Sequence, residues 1–230
     1  MFVYSLAGLT IEGQDSQEAI ELPDNATTSR TGVYQLLAQL VGVPDKDVYA
    51  TAVAGEWPSR LADAGKLVPF PVDYGSASIP ASMSAEEFQA EYLRVFEVGQ
   101  GTGGPPAPLY GGFYGTGGNR IQRLEEVVRF YEYFGLRASP EDPRPADNLS
   151  TELEFMKYLT FKEAVTQSPR LQGSFRRAQN DFLERQLTTW LPKVVEKAEE
   201  AGALPFWKWA VSIARDFATA DASYISGELA

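Results

Sequence analysis

Apolar residues recur along most of this chain at spacings of three and four. In one well-defined run Leu149, Leu153, Met156 and Thr160 follow one another at four, three and four, the stripe of a helix entering a core. Asp147 and Asn148 stand directly before it, where a side-chain oxygen can cap the first turn and a carboxylate faces the positive end of the helix. Capping by Asp147 would contribute about 1 kcal/mol and need no further purpose.

The same period predicts the other elements. Thr27 and Thr28 can open a helix with Val33, Leu36, Leu37 and Leu40 inward, stopped by Gly42 and Pro44. A second starts near Asp45, with Val48, Ala52 and Val53 inward, until Pro58 interrupts it after Trp57. Ser84 and Glu87 form a capping box ahead of Phe88, Tyr92, Val95 and Phe96, with Gly99 as the end of that helix. Residues 120–134 place Ile121, Leu124, Val127, Val128 and Tyr131 on one face and Gly135 in the terminator position. After the run at 148–166, helices are expected over 174–189, over 192–201 with Pro192 in its first turn, and over 205–217 behind Pro205.

Between these lie punctuated stretches. Pro69, Pro71 and Pro80 mark 68–82 as a loop, residues 99–119 are rich in glycine and proline, and Pro140, Pro143 and Pro145 keep the approach to Asp147 extended. No alternating β-branched run of useful length appears and no fixed repeat is present, so the expectation is an all-α protein. Residues 27–230 form a single compact helical-bundle domain in this reading, and residues 1–26 an irregular N-terminal extension.

Composition narrows the chemistry. The 230 residues contain no Cys and no His, which removes thiolate nucleophiles, histidine bases and nearly all ordinary zinc or iron sites, so metal-dependent and triad-type enzymes are disfavoured. A formal charge of −11 repels nucleic acid and suits either cationic partners or simple solubility. The start lacks a signal-peptide pattern and no segment approaches ~18 uninterrupted apolar residues, so a soluble cytoplasmic protein without membrane insertion is expected.

Few motifs survive. The stretch Gly99-Gln100-Gly101-Thr102-Gly103-Gly104 has dinucleotide-binding spacing, but it follows a helix, runs into Pro105-Pro106 and has no Lys-Ser/Thr ending, so a nucleotide hydrolase is disfavoured. The pairs Glu125-Glu126, Glu152/Glu154 and Glu199-Glu200 point in different directions on their helices and read as solvated faces. Trp57, Trp190, Trp207 and Trp209 read as core or groove wall. What remains is an acidic helical binding protein, with Tyr110, Phe113 and Tyr114 among glycines close to a polar corner.

Several segments carry a family likeness. Tyr92-Leu93-Arg94-Val95-Phe96, then Pro108-Leu109-Tyr110-Gly111-Gly112-Phe113-Tyr114, then Arg129-Phe130-Tyr131-Glu132-Tyr133-Phe134-Gly135-Leu136, then Pro145-Ala146-Asp147-Asn148 ahead of Glu152-Leu153-Glu154-Phe155-Met156 resemble the TorD/DmsD/NarJ redox-enzyme maturation chaperones in order and spacing. Asp181-Phe182-Leu183-Glu184 and Trp190-Leu191-Pro192 fit the later helices, and the likeness spans about residues 30–217. Within the family the chain most resembles the chaperones of type II dimethyl-sulfoxide-reductase-like enzymes, such as ethylbenzene, dimethylsulfide, selenate or chlorate oxidoreductases.

The resemblance implies an all-helical cytoplasmic chaperone, not an enzyme. It would bind the twin-arginine signal peptide of a molybdenum oxidoreductase's catalytic subunit and delay export until the bis-molybdopterin-guanine-dinucleotide cofactor is inserted. No stably bound cofactor is implied, only transient contact with the client's molybdopterin guanine dinucleotide. The family's peptide-binding surface falls on Tyr92, Val95, Phe96, Leu109, Tyr110, Tyr114, Asp147 and Asn148. Where the family commonly has Asp-His this chain has Asp147-Asn148, which keeps hydrogen bonding and lacks a titrating imidazole. A cationic leader followed by an apolar stretch needs carboxylates and aromatics together, and both lie in this part of the chain. The alternative is a helical adaptor for subunit assembly that does not read a signal peptide.

Overall fold

The computed structural model describes residues 9–11, 22–23, 25–99, 104–115, 120–138 and 145–229. Most of the extension expected over 1–26, and the glycine run at 100–103, lie outside the described residues. Strand β1 (Leu9–Ile11) is described, and it pairs antiparallel with a strand after the fifth helix.

Helix α1 (Ala26–Leu40) is capped by Asn25, whose side chain accepts from the Thr28 N–H, so the cap sits two residues before the expected threonines. Asp45 caps α2 (Lys46–Ala54) by accepting from Asp47 and Val48, and Gly55, at φ 67°, closes it. Pro58 then sits in the first turn of α3 (Trp57–Ala64), where its missing N–H costs nothing. Residues 71–80 have no regular structure. Helix α4 (Ala85–Phe96) opens with both bonds of the Ser84/Glu87 capping box and ends at Glu97, before Gly99.

Helix α5 (Arg120–Tyr133) buries Val127 and Tyr131, but Ile121 is 68% exposed. Leu124 and Val128 pack against the core partly buried, so the inward face begins only after the first turn. Gly135 at φ 71° turns the chain into β2 (Leu136–Ala138), which pairs Leu9 with Ala138 and Ile11 with Leu136. This short ladder is the sheet among the described residues, and the rest of the architecture is helical as expected.

Helix α6 (Leu149–Val165) is the centre of the molecule: every residue from Leu149 through Phe161 is buried, and α1 packs against it more extensively than any other helix pair. Being covered on all sides, it takes the carboxylates of Glu152 and Glu154 inside, contrary to the solvated face expected for that pair. Glu199 and Glu200 are exposed as expected.

The chain then departs from the expected breaks. Helix α7 (Pro169–Phe182) starts earlier than expected, with Ser168 as its cap, and runs through a π-helical turn (Leu183–Leu187) into α8 (Thr188–Glu200). Pro192 lies inside α8 rather than at its start. It sacrifices one N–H soon after the wider turn, where the Thr188 hydroxyl donates to the Leu183 carbonyl at 2.9 Å. Helix α9 (Pro205–Leu229) continues a further three turns beyond Phe217.

The core holds the tryptophans where their size predicts. Trp57, Trp190 and Trp207 are at most 2% exposed, and Trp209 packs against the core while its indole N–H donates to the Tyr74 carbonyl. Rings from α4 and α9 interlock, with Phe88 stacked on Trp207 at 4.5 Å.

Candidate functional site

The glycine-rich approach and the start of α6 meet backbone to backbone. Tyr110 and Asn148 form an antiparallel bridge, the Gly111 N–H donates to the Asp147 carbonyl at 3.0 Å, and the Leu149 N–H donates to the Leu109 carbonyl at 2.9 Å. A 3₁₀ turn (Gly111–Phe113) follows immediately. Asn148, not Asp147, is the helix cap, its side chain accepting from the Ser150 N–H at 3.0 Å.

Asp147 is therefore released for something else. Its Oδ2 accepts from the Gly112 N–H at 2.8 Å, while Oδ1, on a residue only 1% exposed, has no hydrogen-bond partner among the described residues. Glu152, fully buried one turn further, accepts from the Trp190 indole at 3.2 Å through Oε2. Its Oε1 makes no hydrogen bond and lies 3.6 Å from an Arg123 nitrogen. Burial, reinforced by Asp147, pushes the Glu152 carboxyl up to about 8, although Arg123 and the indole pull the other way. The neighbouring Tyr131 phenol, donating to the Ala146 carbonyl, is raised by burial and then by Glu152 and Asp147.

Close approach explains both glycines of the turn. A Cβ on Gly111 would lie 2.2 Å from Arg123 Nε, and one on Gly112 would lie 2.5 Å from Arg120 Cγ and 2.9 Å from Asp147 Oδ2. Aromatic rings wall the corner. Tyr114 stacks on Trp190 at 5.6 Å and donates its hydroxyl to the Pro108 carbonyl, Lys193 donates to the Tyr114 carbonyl, and Tyr110 donates to Glu97 at 2.6 Å. Outside the wall, Phe113 is 41% exposed beneath the Arg120 guanidinium, 4.2 Å from its ring. Val98 and Ile121 are exposed as well.

Of the residues picked out by sequence, Leu109, Tyr110, Tyr114, Asp147 and Asn148 thus come together at one junction. Tyr92, Val95 and Phe96 do not join them as surface. All three are at most 1% exposed, Tyr92 donates to the Val41 carbonyl at 3.0 Å, and Tyr92 and Phe96 both pack on Trp207. The reason is that the apolar stripe of α4 is used against α9, and among the described residues the end of α4 meets the loop where the Val95 carbonyl accepts from Ala107. Arg123 and Glu152 were not picked out by the sequence, whereas Trp190, read as core or groove wall, is buried against Tyr114. Glu152 could have been noticed, because it stands three residues after Leu149 and four before Met156, in the apolar stripe itself.

Among the described residues no group of acidic side chains is arranged to hold a metal, and no helix is long and apolar enough to cross a membrane. The fold is helical, and its buried, carboxylate-rich corner lies behind an aromatic turn. The chain belongs to the nitrate reductase delta subunit family, among the TorD-like redox-enzyme maturation chaperones, with the family model matching residues 63–196. It is 32% identical over 211 residues to the perchlorate reductase assembly chaperone protein of Dechloromonas aromatica (strain RCB), covering 89% of this chain and 93% of that one. The selenate reductase assembly chaperone protein of Thauera selenatis is 35% identical over 179 residues, covering 77% and 80%. The chlorate reductase assembly chaperone protein of Ideonella dechloratans is 32% identical over 184 residues, again covering 77% and 80%. These relatives are named as chaperones, not catalysts.

Proposed function

We propose that this protein is the assembly chaperone of a molybdenum oxidoreductase and that it receives the twin-arginine leader of the catalytic subunit at the junction of residues 109–114 with the start of α6. Reading the leader there delays export until the client's bis-molybdopterin-guanine-dinucleotide cofactor is in place, which puts the chaperone in the cytoplasm. We assign no residue of this chain to that cofactor, and contact with it is transient.

The observation that carries the reading is Asp147: a carboxylate 1% exposed, not needed as a helix cap, held by one N–H and with its other oxygen unpartnered among the described residues. With Glu152 beside it, the corner favours a cation able to donate several hydrogen bonds, and a guanidinium does so in a planar fork. Entry requires the turn at Gly111–Phe113 to lift, which breaks the Gly111 and Gly112 bonds to Asp147. The exposed Phe113, Val98 and Ile121 are apolar surface for the stretch that follows the arginines.

The test is titration of a synthetic leader peptide, Arg-Arg followed by an apolar segment, into the native chain and Asp147→Asn. Asn keeps an acceptor for the Gly112 N–H and removes the charge, so affinity is expected to fall by about tenfold or more with little loss of stability, since a hydrogen bond to a charged group contributes roughly 1.5–3 kcal/mol. Equal affinities for both chains would return Asp147 to a purely structural role. A Lys-Lys version of the peptide should bind more weakly than Arg-Arg to the native chain only.

A further inference from the structure

Two arginines, Arg30 fully buried and Arg123 partly so, are seated very differently. Arg30 meets Asp221 through two bonds of 2.6 and 2.9 Å and Gln179 through a third of 2.5 Å, a tightly fitted internal ion pair. Arg123 lies among Glu152, Trp190 and the turn, yet its best contacts are 3.6 Å to Glu152 and 3.4 Å to the Thr189 hydroxyl, and its Nε and one terminal nitrogen have no hydrogen-bond partner among the described residues. A guanidinium built in for stability would not leave its donors unused next to a carboxylate oxygen that is also unused. Space has nevertheless been kept for it, since the Gly111 position admits Arg123 only because it carries no Cβ.

On the site reading given above, we propose that Arg123 is an internal stand-in for the client: in the free chain its guanidinium lies against Glu152, on the same side of the turn as Asp147, and an arginine of the leader displaces it. Loose seating is what such a role requires. Glu152 keeps a cationic neighbour in the free chain, yet a better-aligned fork can take the place at small cost. Arg123 is on the first half of α5, whose neighbour Ile121 is exposed, so the displaced side chain has solvent within reach. The arrangement also favours arginine over lysine. Only a ligand that bonds to Asp147 and Glu152 at once gains enough to remove the resident guanidinium.

The inference predicts a gain of binding, a sign opposite to that for loss of a contact residue. Arg123→Gln removes the competitor, and Gly111→Ala pushes it out through the added Cβ while leaving its charge in the chain. Both should bind the Arg-Arg peptide about three- to tenfold more tightly than the native chain, the factor by which ~70–90% occupancy of a site lowers its apparent affinity. The measurement is fluorescence anisotropy of a labelled peptide, with Asp147→Asn alongside. If Asp147→Asn loses affinity but neither Arg123→Gln nor Gly111→Ala gains it, the stand-in is wrong and the site stands. If the native chain fails to bind, or Asp147→Asn binds equally, the site is wrong and the stand-in falls with it. Should these variants fold poorly, the native chain still decides: the Arg123 Nε–H resonance, assigned by its loss in Arg123→Lys, should shift and exchange faster with water at saturating peptide. A resonance that does not move overturns the proposal.

Discussion

Glu152 and Asp147 show how much a single position depends on residues far from it in sequence. Asp147 and Asn148 are both capable caps, and what decides between them is the Gly112 N–H, 35 residues away, which takes the carboxylate and leaves the helix to Asn148. The junction itself was legible, because aromatic residues among glycines and a polar pair before a helix are both local signals. Its buried charge was not, because carboxylates at neighbouring helical positions are normally solvated and only the covering of α6 on all sides reverses this. Glu152 carries a pH consequence. The groups facing it are Arg123, Asp147, the Trp190 indole and the Tyr131 phenol, and its folded value of about 8 lies above the ordinary 4.5. The folded chain therefore holds a proton that the unfolded chain releases, so this group's contribution to stability falls as pH rises from about 4.5 through about 8. Glu152→Gln, which keeps an acceptor for Trp190, should match the native melting temperature near pH 5 and exceed it at pH 8.5. A difference that stays constant across that range would show that Glu152 does not change charge on unfolding.

Helices with local start signals were legible to within a few residues, as with the Ser84 box of α4 and the Asp45 cap of α2. The π-helical turn and the internal Pro192 were not, because proline is read locally as a boundary, while here packing against α9 holds one continuous rod through a defect. Helix α4 separates the period of a stripe from its purpose. Tyr92 and Phe96 have the spacing of a binding face, but the same spacing serves a core, and Trp207 fills it. Tyr92→Ala is accordingly expected to lower stability by about 3–5 kcal/mol, the usual scale for truncating a buried ring, since it also strands the Val41 carbonyl. Denaturant unfolding measures that loss. Peptide affinity below the transition should stay within about twofold of native, and a tenfold loss of affinity at unchanged stability would restore α4 to the binding surface.

One buried polar network joins the two ends of the chain. Arg30 of α1 bonds to Asp221 of α9, Tyr34 donates to the same carboxylate at 2.6 Å, and Gln179 of α7 links Arg30 to Glu163 near the end of α6. Nothing local announces it, since Arg30 and Asp221 are 191 residues apart and each reads alone as an ordinary surface charge. Burial by itself would pull Arg30 down, but Asp221, with Tyr34 and Glu163, holds it above its ordinary value, so it stays charged at every accessible pH. The fitted Arg30–Asp221 pair thus lies near one end of α6, beside Glu163, and the loosely seated Arg123 lies beside Glu152 at the other, which on the proposed function separates what holds the bundle together from what a leader would exchange. The separation can be tested by a double-mutant cycle. Asp221→Leu alone leaves a buried guanidinium short of its counter-charge and should cost about 3–5 kcal/mol, whereas Arg30→Met with Asp221→Leu, which removes both charges, should cost clearly less than the sum of Arg30→Met and Asp221→Leu made singly. Leader affinity should be unaltered in every member of the cycle that is folded at the working temperature. If affinity instead falls in step with stability, the two ends of α6 are coupled, and the corner at Asp147 depends on the whole bundle rather than on the turn that closes it.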